Sequence, residues 1–216
     1  MRSRFLRPVI GSAVFVVLAV GLTSCRPPAT TGEELFDQAR AVYLDYRSAV
    51  AEAQLEIFDG EWLVDKYGDS PDECGAAGYE FSFGRSTPPE WKIDGTPAEA
   101  ARRLADWLND NGWSEITTRT YSEGIADVVV EAEKPDSHVG HITVDISPGE
   151  FYDITTIYLD STCEPGDWAV IYDLQNPGDP NWRDIEPHAR TEHPLADSSF
   201  GYTQEGRPRF WTGDAD

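Results

Sequence analysis

Lysine, histidine, cysteine and methionine are all scarce in this chain: its 216 residues include three Lys, four His, three Cys and one Met. Seventeen basic residues stand against 39 acidic ones, a net charge of −22. That balance excludes broad, sequence-independent nucleic-acid binding, which needs clustered Lys and Arg to displace phosphate counterions. So few His and Cys, with no Cys-rich tract, imply no metal site, and nothing in the sequence implies a cofactor. There is no Gly-x-Ser-x-Gly elbow, phosphate loop, Gly-x-Gly-x-x-Gly turn or His-Glu-x-x-His helix. A Ser-His-Asp triad can be dispersed along a chain, and acids here are too abundant for any chosen pair to be informative, so no catalytic residue is assigned. Hydrophobic content of 40% and charged content of 26% exclude a wholly disordered chain.

The longest apolar run, Val9 to Leu22, has 14 residues. It is shorter than the roughly 20 a helix needs to cross a bilayer, and suits a secretory signal. Arg2, Arg4 and Arg7 precede it, and Leu22-Thr23-Ser24-Cys25 follows. This ending resembles the lipobox of bacterial lipoproteins; an uncleaved anchor, or an ordinary signal with a chance Cys, is the other reading. The resemblance implies that Cys25 carries a diacylglyceryl group, that residues 1–24 are removed, and that residues 25–32 form a lipidated, Pro-rich tether. Removing three arginines and no acid leaves a mature chain near −25. Such a domain is repelled by an anionic leaflet within a Debye length of about 8 Å, so the acyl chains, at about 0.8 kcal/mol per buried methylene, supply the attachment. Cys74 and Cys163 remain, an even number in an exported chain. A disulfide is the simplest use of them, with free thiols or a redox pair as alternatives.

Residues 33–175 read as an α+β domain. Thr31-x-x-Glu34 has the form of a capping box. Behind it Leu35, Ala39, Val42, Tyr46, Ala49 and Ala53 alternate spacings of four and three, predicting a long amphipathic helix that ends near Phe58. Thr96-Pro97-Ala98-Glu99 predicts a second N-terminus, and Ala101, Leu104, Ala105 and Leu108 its buried stripe. Asn111-Gly112 predicts a left-handed end with Trp113 folded back onto the core. Tyr79, Phe81 and Phe83 alternate as a strand. Runs at Glu115–Tyr121, Ile125–Glu133, Val139–Ser147 and Phe151–Asp160, with hairpin-length separators, predict an antiparallel meander. Its dry side needs a cover, and the two helices supply it as a two-layer sandwich. Trp168 to Leu174 reads as a further strand, 59–77 as an acidic loop, and 176–216 as an irregular, partly disordered tail that Trp182, Phe200, Tyr202, Phe210 and Trp211 can pin in places.

Candidate sites are few. The acidic residues of 59–73 lack the EF-hand spacing, so a solvated loop is expected there rather than a cation site. His138 and His141, three apart, point to opposite faces of a strand. His188 and His193 lie near Glu186 and Glu192 with nothing to fix a metal geometry. Among seven Trp, Trp91, Trp168, Trp182 and Trp211 fall in loops or the tail and are the candidate ligand platforms. Taken together, the lipobox, the long first helix, the Ala- and Arg-rich helix ending Asn-Gly-Trp, the meander and the two Cys resemble small actinobacterial cell-envelope lipoproteins such as the LppA-like mycobacterial proteins. That resemblance spans about residues 1–165 and implies location, not activity. The expected function is a lipid-anchored module on the extracytoplasmic face of the cell membrane that binds an envelope protein or wall component; a hydrolase or a small-ligand carrier is the alternative.

Overall fold

A computed structural model of the chain describes residues 32–64, 70–121, 126–177, 191–203 and 207–210. It is an α+β fold in which helices pack on a large antiparallel sheet. Helix α1 (Gly32–Ile57) buries Leu35, Ala39, Val42, Tyr46, Ala49 and Ala53, the predicted stripe, and with it Phe36, Tyr43 and Val50. Two short strands follow, β1 (Trp62–Val64) and β2 (Pro71–Cys74), and then the long β3 (Gly78–Ser86). The expected loop at 59–77 therefore holds two strands. Trp62 is the anchor of the first: it is fully buried, and its indole N–H donates to the Phe58 carbonyl at 3.1 Å.

Helix α2 (Pro97–Asp110) is capped at both ends by its own sequence. The Thr96 hydroxyl accepts from the Glu99 amide at 3.2 Å, while the Glu99 carboxylate accepts from the Thr96 amide at 2.9 Å. Each satisfies a donor the helix cannot pair itself. At the other end Gly112 takes φ +78°. The Gly112 amide bonds to the Asn109 carbonyl and the Trp113 amide to that of Leu108, a Schellman arrangement. Trp113 is thereby turned into the core, as its position predicts.

The meander consists of β4 (Ser114–Thr120), β5 (Val128–Lys134), β6 (Val139–Ser147) and β7 (Ile154–Ser161). Register is set by alternation: Val128, Val130 and Ala132 face Ile146, Val144 and Ile142 on the buried side. Glu131, Thr143 and Tyr158 line up on the open side. The meander does not end at β7. Ser82–Ser86 pairs with Asp160–Thr156, inserting β3 next to β7, and β1 follows β3.

The other half of β3 pairs with β2 and with the two-residue β8 (Glu164–Pro165). There Cys74 and Cys163, 89 residues apart in sequence, form a disulfide with Cα atoms 5.8 Å apart. It straddles Gly78: a Cβ on that residue would lie 2.8 Å from the Cys163 sulfur and 2.9 Å from the Glu164 carbonyl, closer than side chains approach.

Trp168 to Leu174 does not extend the sheet. Trp168–Gln175 is helix α3, with the Asp167 carboxylate accepting from the Ala169 amide at 3.0 Å as N-cap and Ile171 and Gln175 buried one turn apart. A short apolar run fits either period, and here the capping Asp decides for helix. Part of the stretch after 175 is ordered too. Strand β9 (Thr191–Glu192) pairs with β1, and β10 (Ser199–Tyr202) pairs with β11 (Pro208–Phe210). Phe200 is fully buried, its ring centroid 5.1 Å from that of Phe36, 5.0 Å from Tyr43 and 5.9 Å from Phe81. Tyr202 is buried as well. These two aromatics pin this stretch to the domain. No helix among the described residues is long and apolar enough to cross a membrane.

Candidate functional site

The loop from β3 to α2 begins as a tight turn, in which the Trp91 amide donates to the Pro88 carbonyl at 3.0 Å. It is tied to the β6–β7 turn by two bonds. The Ile93 amide donates to the Asp153 carboxylate at 3.0 Å, and the Lys92 ammonium to the Phe151 carbonyl at 3.1 Å. Asp153 also accepts from the Gly149 amide at 3.2 Å. The Ile93 amide, followed by the Gly149 amide and the Lys92 charge, holds the Asp153 carboxyl below its usual range against its desolvation. Asp153 thus stays ionised and fixes one loop to the other.

Between these loops, the C-terminal end of α1 and the first turns of α2 is a cleft of about 110 Å³. Its floor is buried and comprises Leu104, Ile146 and Thr155; Trp91, Ile57 and Ala100 form half-buried walls; Glu56, Lys92, Asp94 and Arg103 are an exposed rim. On the rim the Arg103 guanidinium donates to the Asp94 carbonyl at 2.7 Å. On the floor Thr155 is fully buried, and its hydroxyl has no hydrogen-bond partner among the described residues. The Thr155 backbone is satisfied, since its amide bonds to the Thr87 hydroxyl and its carbonyl to the Thr87 amide, both at 2.9 Å. Beside the cleft, Phe151 and Tyr152 are 82% and 51% exposed.

No family model, curated protein or solved structure matches this chain. The site is therefore read from its residues.

Of the four tryptophan platforms, the cleft is lined by Trp91 and not by Trp168, which opens α3 with 37% exposure. Trp182 and Trp211 lie outside the described residues, as do Cys25, His188, Glu186, Asp65 and Asp69. Among the described residues no group of three or more His, Cys, Asp or Glu is arranged to hold a metal ion. His138 is not on a strand. It follows a short 3₁₀ turn (Pro135–Ser137) at φ +56° and bonds through Nδ1 to the Glu164 carboxylate at 3.0 Å. His141 meets the Thr143 hydroxyl at 3.2 Å. His193 approaches the Asp59 carboxylate at 3.6 Å.

A second constellation escaped the sequence reading. Arg47 of α1 and Arg85 of β3 are 6% and 5% exposed. Glu192 lies between them: one carboxylate oxygen accepts from Arg47 Nη2 at 2.6 Å, the other from Arg85 Nη2 and Nε at 2.6 and 2.8 Å. Both guanidiniums lie over the Phe83 ring, 4.6 and 4.3 Å from its centroid. Burial pushes the Glu192 carboxyl up, but Arg47 and Arg85 together outweigh it and hold it below its usual range. The signal was present, because Arg85 continues the inward alternation of Tyr79, Phe81 and Phe83. The acid that completes the cluster is 107 residues further on, and no local pattern points to it.

Proposed function

We propose that the chain is a lipid-anchored, extracytoplasmic binding module, similar in kind to small actinobacterial envelope lipoproteins, and that its recognition surface is the end of the sheet around Trp91, Phe151 and Tyr152. The anchoring part rests on the lipobox-like Leu22-Thr23-Ser24-Cys25. The Cys74–Cys163 disulfide supports an oxidising location. The observation that carries the binding part is the exposure of Phe151 and Tyr152 on a turn bonded to the Trp91 loop. Aromatic side chains exposed to water beside a cleft are the groups that interfaces enrich. Its partner, on this reading, is an envelope protein or wall component reached from the membrane surface.

Membrane fractionation and in-cell crosslinking of full-length variants test both parts. Cys25→Ala should lack an acyl group and be either released from the membrane fraction or left unprocessed with residues 1–24 attached. Phe151→Ser combined with Tyr152→Ser should stay in the membrane fraction with an unchanged melting temperature, yet lose the crosslinked species seen in wild type. Acylation and processing of Cys25→Ala as in wild type contradict the anchor, and undiminished crosslinking of the double variant contradicts the surface.

A further inference from the structure

We infer that the free edge of the sheet at β4 is a self-association surface, on which a second copy of this chain pairs β4 with β4 across a two-fold axis at Thr118. The open edge comes first. β4 ends the path of the sheet, and among the described residues it pairs with β5 alone. Its one irregularity is at the start, where the ladder passes from Ser114 to Thr117 and Glu115 takes φ +51°. From Thr117 to Thr120 the strand is regular, with no proline, glycine or lysine to blunt its outer row of amides and carbonyls.

An overhang comes second. On the face of the sheet that the helices cover, Val128 and Val130 of β5 are 3% and 0% exposed. Their partners one strand further out, Thr120 and Thr118, are exposed. The helical cover thins out at β4 and leaves the same face open there, beside the half-buried Ile116. Ile116, Thr117, Thr118 and Thr120 are β-branched, which suits a strand that takes a further neighbour.

Charge decides the occupant. The chain carries −22 overall, which opposes self-association over most of its surface, but this edge is balanced. Ala100, Arg103 and Leu104 of α2 line the cleft beside α1. Ala98, Arg102, Ala105 and Asn109 recur at spacings of four and three on the other flank of the helix, toward β4. Arg102 and the neighbouring Asp106 are exposed and form no hydrogen bond or ion pair among the described residues. One turn apart, they are self-complementary: a two-fold axis passing between them brings each arginine to the aspartate of the copy. On the strand, an axis at Thr118 sets Arg119 opposite Thr117 and Ile116 opposite Thr120, with no like charges face to face. The Arg119 charge is already met by Glu131 at 3.1 Å.

Size sets the strength. About ten residues a side, each contributing the roughly 30–40 Å² of ordinary interfaces, bury about 600–800 Å² in all, a weak and transient contact in bulk solution. Copies held on one leaflet by their acyl chains meet at a far higher effective concentration. For that confinement alone the inference rests on the proposed function.

The test oxidises full-length Thr118→Cys and Thr120→Cys mildly in their own membranes. At the axis the two Thr118 positions come within the about 7 Å between Cα atoms that a disulfide can bridge. The two Thr120 positions are offset by four residues, about 13 Å along the strand. Thr118→Cys should give a disulfide-linked dimer of twice the chain mass, at least about 10-fold faster than Thr120→Cys does. Arg102→Asp added to Thr118→Cys should slow the linkage about 2- to 30-fold, the worth of two exposed ion pairs. Asp106→Arg added to that variant should restore the rate.

A monomer, a link to a different protein or equal rates at the two positions overturns the inference. So does a rate that Arg102→Asp leaves unchanged or that the charge swap fails to recover. The mass of the same sample reads acylation. A dimer of unacylated chains would overturn the anchor and leave the pairing standing, whereas a monomer of acylated chains would do the reverse. The pairing does not use Phe151 or Tyr152, so a species of twice the chain mass is expected in their serine variants too, distinct by mass from a crosslink to another partner.

Discussion

Replacing Glu192 by Gln keeps the shape of the side chain and removes its charge. Arg47 and Arg85 would then lie 6% and 5% exposed with their shared carboxylate gone. Removing one partner of a buried ion pair destabilises by about 3–5 kcal/mol. Glu192 keeps 20% of its side-chain surface, so water relieves part of that, and about 3 kcal/mol is expected. For a domain of this size that corresponds to a fall of about 6–12 °C in Tm.

The effect also has a pH signature. The Glu192 carboxyl is depressed in the folded state by its two arginines from an unfolded value of about 4.3. Its contribution is therefore fully present above the unfolded value and is lost as pH falls through the folded one. Urea unfolding of wild type and Glu192→Gln should differ by a constant amount between pH 6 and 8. The difference should shrink progressively below about pH 4. A difference under about 1 kcal/mol at neutral pH, or one that grows on acidification, would refute the claim that this cluster holds the segment after residue 190 to the core.

Three further outcomes are expected. Thiol labelling of denatured, unreduced protein should find neither Cys74 nor Cys163 free, and Cys163→Ser should lower the unfolding free energy by about 4 kcal/mol for a loop of this length. Gly112→Ala should cost about 1 kcal/mol in chemical unfolding, because a Cβ there meets nothing within 4 Å and only the left-handed φ is strained; no loss would mean that the Schellman end is dispensable. Thr96→Ala should cost about 1 kcal/mol by removing one half of the reciprocal cap, while Glu99→Gln, which preserves the acceptor, should cost less.

What could be read from the residues was whatever repeats locally. The stripe from Leu35 to Ala53, the cap at Thr96 and the alternation through Val139–Ser147 each carry several in-phase residues, so helices and meander emerge close to their observed bounds. The strands at Trp62–Val64, Pro71–Cys74 and Thr191–Glu192 span too few residues to establish a period. They exist because β3 and β1 offer unpaired edges, a property of the assembled sheet. Trp168–Gln175 was read with the wrong period because an apolar octet suits strand and helix alike.

The sites divide in the same way. Trp91 was legible as an aromatic stranded in a loop. Thr155, one of many strand threonines, is placed on the cleft floor only by the fold. Arg47 and Arg85 interrupt apolar patterns and could have been noticed; pairing them with Glu192 needed the fold.

The most direct test of the central claim is the intact mass of the full-length gene product extracted from its own membrane. The account predicts a chain that begins at Cys25, carries a diacylglyceryl group and is two hydrogens lighter than its thiol form. A chain that retains residues 1–24, or one that begins elsewhere without an acyl group, would contradict it.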